Sequence, residues 1–221
     1  ISDKEFDKKV NRTKKRPIAS GQISIPLALF YSLILCLLAL LVLLNFNTLT
    51  IFVAFGSMPL AFTYPLMKRY TYWPQLFLGI TFNYGLILGW ICIKDNLNII
   101  PFVFYFGAIF WTLAYDTIYG FQDINDDEII GLKSTSIKFK KNPHTFLITC
   151  YLIFIFCTII TGILMNFNYL FFIFLIIPLI HLILFQIKNL NVSDPKNCLK
   201  IFKSNNLFGL ILFINILIGK L

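Results

Sequence analysis

Residues 99–128 read IIPFVFYFGAIFWTLAYDTIYGFQDINDDE, a long apolar run that passes directly into a cluster of acids. A helix needs about 20 apolar residues to cross the hydrocarbon core of a bilayer, and residues 99–120 supply that length. The whole chain is 58% hydrophobic and 13% charged, with a mean hydropathy of +0.79. This composition is typical of membrane proteins with several spans, so the stretch predicts a membrane helix with acids at one end.

Six further apolar segments of similar length predict six more membrane helices, at about residues 24–44, 48–67, 76–93, 146–165, 169–188 and 204–220. Polar or turn-forming residues interrupt the sequence between them. We therefore predict an all-α polytopic membrane protein, with one domain over residues 1–221 and seven transmembrane helices.

Lysine and arginine alternate along this predicted topology. Counting Lys188 and Lys220, which end their helices, with the segments that follow them, the eight successive segments carry 7, 0, 2, 1, 4, 0, 4 and 1 basic residues, so one face holds 17 of the 19. By the positive-inside rule this face is cytoplasmic, or faces the matrix in a mitochondrion. The net charge of +9 then reflects topology. No nucleic-acid partner is expected, because the aromatic residues lie in the spans, and no feature indicates an obligate protein partner.

The acids are concentrated in two clusters, both on the basic face. Eight of the ten acidic residues belong to them: Asp3, Glu5, Asp7, Asp116, Asp123, Asp126, Asp127 and Glu128. A solvated loop is the alternative explanation for the last three of these. Asp3 and Asp7 are four residues apart, as are Asp123 and Asp127, so in a helix each pair lies on one face and can share a divalent ion.

Carboxylate pairs suit Mg²⁺, which binds through one or two carboxylates together with substrate phosphates. A four-residue step backwards from Asp123 reaches Tyr119 and Tyr115, which predicts a stripe of side chains lining a cavity. Asp116 lies seven residues before Asp123, near the same face. A lipid-exposed acid deep in a helix costs about 2.5–3.5 kcal/mol, so Asp116 must face protein or water.

Basic residues next to the acids are candidates for binding phosphate oxygens. Arg12 and Arg16 follow the first cluster, and Lys68 and Arg69 close another loop on the same face. Arginine forks match phosphate geometry. The alternative is that these cations only satisfy the positive-inside rule.

Three charged segments contain recognisable motifs. Residues 3–7 and 12–21, DKEFD and RTKKRPIASG, resemble the first motif region of the UbiA superfamily of intramembrane prenyltransferases, NDxxDxxxD followed by RTxxRPxxSG. Residues 115–135, YDTIYGFQDINDDEIIGLKST, and 64–75, YPLMKRYTYWPQ, are similar to motifs of the 4-hydroxybenzoate polyprenyltransferase branch. The resemblance runs through the chain in consistent order.

The resemblance implies a nine-helix bundle, of which the predicted spans would be helices 3 to 9. The sequence begins at Ile1, without methionine and inside a charged segment. We expect the Asn and the first Asp of the family motif, and at least one further helix, upstream of Ile1.

The resemblance also implies an activity: transfer of a polyprenyl group from its diphosphate to 4-hydroxybenzoate, ortho to the phenol, in ubiquinone biosynthesis. The location would be a bacterial or mitochondrial inner membrane. Mg²⁺ would be held by Asp3, Asp7, Asp123 and Asp127. Residues that would bind substrate are Arg12, Arg16, Lys68, Arg69 and Lys133. Catalytic roles would fall to Asp116, Arg69, Tyr115 and Tyr119.

Two alternatives stay open from the sequence. One is a prenyltransferase of the same superfamily with another aromatic acceptor. The other is a cation-coupled transporter, since intramembrane acids and the motif Gly85-Leu-Ile-Leu-Gly89 also suit one. We expect the two glycines of this motif to let helices approach closely. The position of the acids at helix ends, beside arginines, favours the enzyme.

Overall fold

A computed structural model describes residues 3–10 and 13–221, with every side chain in those ranges except that of Lys9. The described residues form fourteen α-helices and no strand. The helices are α1 (Lys4–Lys9), α2 (Ile25–Leu43), α3 (Thr48–Phe55), α4 (Ser57–Thr63), α5 (Met67–Tyr70), α6 (Pro74–Phe82), α7 (Gly85–Lys94), α8 (Ile99–Gly120), α9 (Ile124–Ile130), α10 (Thr135–Lys138), α11 (Pro143–Leu164), α12 (Tyr169–Phe174), α13 (Ile176–His181) and α14 (Pro195–Lys220). Tyr64–Leu66 and Phe121–Asp123 are 3₁₀ turns, and Leu182–Lys188 is π-helical.

These helices combine into seven spans, in agreement with the sequence prediction. Within the described residues, seven helical stretches are long and apolar enough to cross a membrane: Ile25–Leu43, Thr48–Tyr70, Pro74–Lys94, Ile99–Ile130, Pro143–Leu164, Tyr169–Lys188 and Pro195–Lys220. The protein is therefore an all-α integral membrane protein.

The last helix is longer than predicted. It begins at Pro195 rather than near residue 204, because the Asp194 carboxylate accepts a hydrogen bond from Lys196 N (2.9 Å) and proline suits the first helical position. Its 26 residues extend about 39 Å, which exceeds the hydrocarbon thickness. The lysine-bearing first turns therefore lie outside the apolar layer.

Several spans are interrupted, and side chains satisfy the backbone groups at the breaks. Between α6 and α7, Asn83 Nδ2 donates to the carbonyls of Gly79 (2.9 Å) and Ala108 (3.2 Å) and to Thr112 Oγ1 (2.7 Å). Polar backbone groups inside a bilayer need such partners. The break therefore also fastens α6 to α8.

Helix α8 lies at the centre of the bundle, packed against α6, α11 and α14. At Gly107 a side chain would place its Cβ 2.6 Å from Cys157 Cβ, so glycine permits the close approach of α8 to α11. Trp111 Nε1 donates to Asn205 Oδ1 on α14 at 2.9 Å. These contacts fix α8, which leads directly into the second acidic cluster.

Candidate active site

One cavity of about 310 Å³ brings the two acidic clusters together at one end of the bundle. Its charged lining residues are Asp3, Asp7, Asp116, Asp123, Asp127, Arg16, Lys68 and Lys133. The other lining residues are Phe6, Val10, Thr13, Tyr64, Pro65, Pro74, Gln75, Leu78, Tyr119, Gly120, Leu132 and Ser134. Segments that are more than 100 residues apart in the sequence thus converge on one polar chamber.

The first cluster is held by basic side chains. Asp7 N donates to Asp3 O at 2.8 Å, the helical turn that places both carboxylates on one face. Lys68 Nζ lies 2.7 Å from Asp3 Oδ2, and Arg16 Nη1 lies 3.0 and 3.1 Å from the two oxygens of Asp7. These basic residues therefore contact the acids directly, which the positive-inside rule alone does not require. Arg12 lies outside the described residues.

Arg69 stands beside the cavity. Its Nη2 atom is 3.5 Å from Asp3 Oδ1, and its guanidinium lies over the Phe6 ring at 5.1 Å. Among the described residues that line the chamber, Arg69 does not occur. It therefore contacts two residues that line the chamber, Asp3 and Phe6.

The second cluster departs from the predicted stripe. Helix α8 ends at Gly120, a 3₁₀ turn follows, and α9 carries Asp127. Tyr119, Asp123 and Asp127 line the cavity as predicted, but Tyr115 is not among its described lining residues, and Asp116 is. The predicted stripe assumed one uninterrupted helix from Tyr115 to Asp127, and the 3₁₀ turn Phe121–Asp123 breaks that regular step.

Tyr115 instead belongs to an aromatic cluster behind the cavity wall. Its ring lies 5.4 Å from Trp111 and 5.8 Å from Phe202. Phe202 also approaches Tyr119 at 4.5 Å. Tyr115 thus supports the wall that Tyr119 forms.

The segment Lys133-Ser134-Thr135 is fastened against α6 and α8 by buried hydrogen bonds. Thr135 N donates to Gln75 Oε1 at 3.0 Å, and the hydroxyls of Thr135 and Thr117 lie 2.6 Å apart. Lys133 N donates to Lys68 O at 2.9 Å, which joins the two basic segments of the site. This network positions the Lys133 side chain at the cavity.

Gly120 and Ser136 complete that junction. Ser136 Oγ donates to Thr117 O at 2.8 Å, and a Cβ at Gly120 would collide with this same Oγ atom. Sequence reasoning gave no role to Gln75, Thr117, Gly120 or Ser136. The available signal was a polar side chain, Gln75, at the start of an apolar span, where a hydrogen-bond partner is required.

The carboxylates form two pairs rather than one compact metal cluster. Among the described His, Cys, Asp and Glu residues, no group of three or more is close enough to hold a metal ion. The chemistry of the donors nonetheless fits Mg²⁺, which retains waters and uses one or two carboxylates together with substrate phosphates. Two such pairs on one chamber suit a ligand that brings its own oxygens.

The fold is that of solved UbiA proteins. The structure of a UbiA homolog from Aeropyrum pernix K1 aligns with a TM-score of 0.82 at 21% identity, over 100% of this chain and 82% of that one. A digeranylgeranylglyceryl phosphate synthase aligns with a TM-score of 0.69 at 20% identity, over 98% of this chain and 77% of that one.

Sequence relatives are more similar. The 4-hydroxybenzoate geranyltransferase 2 of Lithospermum erythrorhizon is 40% identical over 220 residues, which cover 99% of this chain and 72% of the plant protein. The mitochondrial 4-hydroxybenzoate polyprenyltransferase of Homo sapiens is 41% identical over 222 residues, 99% of this chain and 59% of the human protein. A profile of the UbiA prenyltransferase family matches residues 1–217. With the sequence, the helical bundle and the paired acids in agreement, the chain belongs to the UbiA prenyltransferase family.

Proposed function

We propose that the protein transfers a polyprenyl group from polyprenyl diphosphate to the ring of 4-hydroxybenzoate, ortho to the phenol. The observation that carries this proposal is the shared chamber, where two carboxylate pairs and three cations lie at the ends of membrane helices. Relatives named for prenyl transfer to 4-hydroxybenzoate, about 40% identical over nearly the whole chain, support the acceptor. Membership of a prenyltransferase family argues against the transporter alternative.

Asp3 and Asp7 on one side, with Asp123 and Asp127 on the other, would hold Mg²⁺. A bound divalent ion neutralises charge that develops on the diphosphate as the allylic C–O bond breaks. The carboxylates supply oxygen ligands on or beside short helices, and both pairs line the same chamber of about 310 Å³.

Arg16, Lys68 and Lys133 bind the diphosphate oxygens and stabilise the leaving group. All three line the chamber, and two of them are ion-paired with the first acid cluster. Charge-assisted hydrogen bonds to phosphate are the strong contacts expected there. Arg69 adds positive charge beside Asp3.

Asp116 and Tyr119 act on the acceptor. Asp116 comes from the last turns of α8, deeper in the span than Asp123, and its carboxylate accepts the hydrogen of the acceptor phenol. Tyr119, which packs against Phe202, forms part of the chamber wall and excludes water from the allylic cation until the acceptor ring attacks it. The allylic C–O bond breaks with both electrons left on the diphosphate, attack by the ring carbon on the allylic cation forms the C–C bond, and transfer of the ring proton to the released diphosphate restores aromaticity.

The reaction belongs to ubiquinone biosynthesis and takes place in an inner membrane, bacterial or mitochondrial. The alternation of basic residues supports a chamber that faces the cytoplasm or the matrix. Relatives named as mitochondrial support the second location.

The test is an assay of membranes that contain the protein, with labelled 4-hydroxybenzoate, a polyprenyl diphosphate and Mg²⁺. We expect a labelled lipid product, its loss on chelation and its return with Mg²⁺. Asp123→Asn should lower the rate at least about 100-fold, whereas Asp95→Asn, at the opposite end of the bundle, should leave it unchanged. Absence of product from the wild-type protein, or full activity of Asp123→Asn, contradicts the proposal.

A further inference from the structure

A second cavity lies at the end of the bundle opposite the acidic chamber. It has a volume of about 340 Å³ and is enclosed by α7, the first turns of α8 and the last turns of α11. Its walls are almost entirely apolar, formed by side chains such as Trp90, Phe104 and Phe171. Among the described residues, the two cavities have no lining residue in common. The apolar cavity is thus separate from the proposed reaction site.

The glycine motif of α7 explains why this cavity exists. A Cβ added at Gly85 or Gly89 would meet no atom of another helix within 4 Å in the described part of the chain, so the expectation that these glycines bring helices together is wrong. Gly89 lines the apolar cavity and Gly85 does not. The absent side chain at Gly89 leaves open volume inside the cavity rather than a helix contact.

Two lysines stand at the mouth of the apolar cavity. Lys94 lines it, and Lys220 Nζ donates to Met165 O at 3.3 Å and lies 5.1 Å from the centre of the Phe167 ring. Met165 and Phe167 are themselves lining residues. Of the 19 basic residues, these two are the pair that the alternation assigns to this face. Both therefore converge on one apolar opening.

We propose that this cavity binds an anionic phospholipid, with an acyl chain in the apolar interior and the phosphate between Lys94 and Lys220. A cavity with an almost entirely apolar interior matches a hydrocarbon chain, and cations at its membrane-surface end match a phosphate. Trp90 is an interfacial aromatic side chain at the same site. Asp95, which follows Lys94, is the acidic group that opposes this attraction.

Charge distinguishes this occupant from two others. The tail of the prenyl substrate is uncharged at its far end, so it gives the two lysines no counter-charge. A second copy of the chain would present the same lysines and would place like charges together. An anionic headgroup provides the complementary charge.

The proposal can be tested by native mass spectrometry of the detergent-purified protein, titrated with phosphatidylglycerol or phosphatidylcholine of identical acyl chains. We expect one tightly bound lipid and a preference for phosphatidylglycerol. Lys94→Gln and Lys220→Gln should each weaken phosphatidylglycerol binding about fivefold and leave phosphatidylcholine unchanged. Asp95→Asn should strengthen phosphatidylglycerol binding.

Substitutions of the two glycines distinguish lipid binding in the cavity from lipid binding elsewhere on the protein surface. Gly89→Leu adds a side chain whose Cβ enters open volume at the cavity, so it should abolish the tight site for both lipids. Gly85→Leu, one turn earlier on the same helix, is the matched control and should bind as the wild type does. Equal binding of the two lipids, or undiminished binding by Gly89→Leu, overturns the proposal. Displacement of phosphatidylglycerol by a polyprenyl alcohol, or a dimer that forms when lipid is removed, does so too.

Discussion

Individual ion pairs in the acidic chamber are partly exposed and therefore exchangeable. The Asp7 side chain is 18% exposed and Arg16 is 52% exposed, while Asp3 and Lys68 are 23% and 27% exposed. Exposed ion pairs of this kind contribute about 0–1 kcal/mol. Under the proposed mechanism, the cations would leave the carboxylates at small cost when a diphosphate enters, and the carboxylates would become available as metal ligands.

Lys68→Gln should therefore impair substrate binding more than stability. Losing a charged hydrogen bond to phosphate, worth about 1.5–3 kcal/mol, should raise KM for polyprenyl diphosphate at least about tenfold. Steady-state kinetics at saturating 4-hydroxybenzoate measure this effect. Lys203→Gln removes an exposed lysine of α14, outside the chamber, and is the control. A KM equal to that of the wild type would exclude a direct contact of Lys68 with the diphosphate.

Substitutions at Asp116 and Tyr115 should have very different effects on kcat, although the two residues are neighbours in the sequence. Asp116→Asn retains the shape of the side chain but removes its charge inside the chamber, and should lower kcat about 10–100-fold. Tyr115→Phe retains the ring that packs on Trp111 and Phe202, and should stay within about twofold of wild type. Parallel measurements of kcat and of thermal stability decide between them. An equal loss of kcat in both variants would indicate that Tyr115 takes part in the reaction.

Residue spacing alone could place most of the candidate site. The pairs Asp3 with Asp7 and Asp123 with Asp127, and Tyr119 beside them, follow from helical periodicity. The position of Tyr115 could not be placed in this way, because the 3₁₀ turn Phe121–Asp123 interrupts the regular helical step on which its prediction rested.

At the scale of elements, the junction of α8 with α10 controls the position of Lys133. Gly120→Ala would force Cβ against Ser136 Oγ and displace the fastened segment. We expect a lower melting temperature, by several degrees for a loss of about 1–3 kcal/mol, and reduced activity. Thermal unfolding and the prenyl transfer assay measure the two effects.

The double variant Gly120→Ala with Ser136→Ala tests whether the collision with Ser136 Oγ causes the loss of stability. Removing Oγ relieves the collision but loses its hydrogen bond to Thr117 O, worth about 1 kcal/mol. At least half of the lost stability should return, a coupling that independent sites do not give. Gly209→Ala is the control, since its Cβ would meet only Trp111 at 3.8 Å. Strictly additive losses would contradict the collision.

Sequence reasoning located the spans but not their interruptions. Hydropathy marks length, so seven apolar segments predicted seven spans. The break after Asn83 depends on partners in another span, because the Asn83 side chain bonds to Ala108 and Thr112 of α8. The 3₁₀ turn before Ile124 depends on how the chain leaves α8. No local pattern contains those tertiary partners.

For the whole molecule, the alternation of basic residues predicts the orientation in the membrane. In a background with the five cysteines replaced, Lys141→Cys should react with a membrane-impermeant maleimide only from the cytoplasmic or matrix side. Asn96→Cys should react only from the other side. Both positions are exposed, so accessibility within the protein does not limit the reaction. Labelling of both from the same side would disprove the predicted topology.

Helix α8 is one continuous helix that borders both cavities. Ile100, Pro101 and Phe104 border the apolar cavity, and Asp116, Tyr119 and Gly120 border the acidic chamber. Phe104 and Asp116 are separated by about 18 Å along the axis. A small molecule bound in the apolar cavity would contact the same helix that carries Asp116. Inhibitors of this enzyme could thus be sought that need not resemble a diphosphate or compete with the prenyl donor.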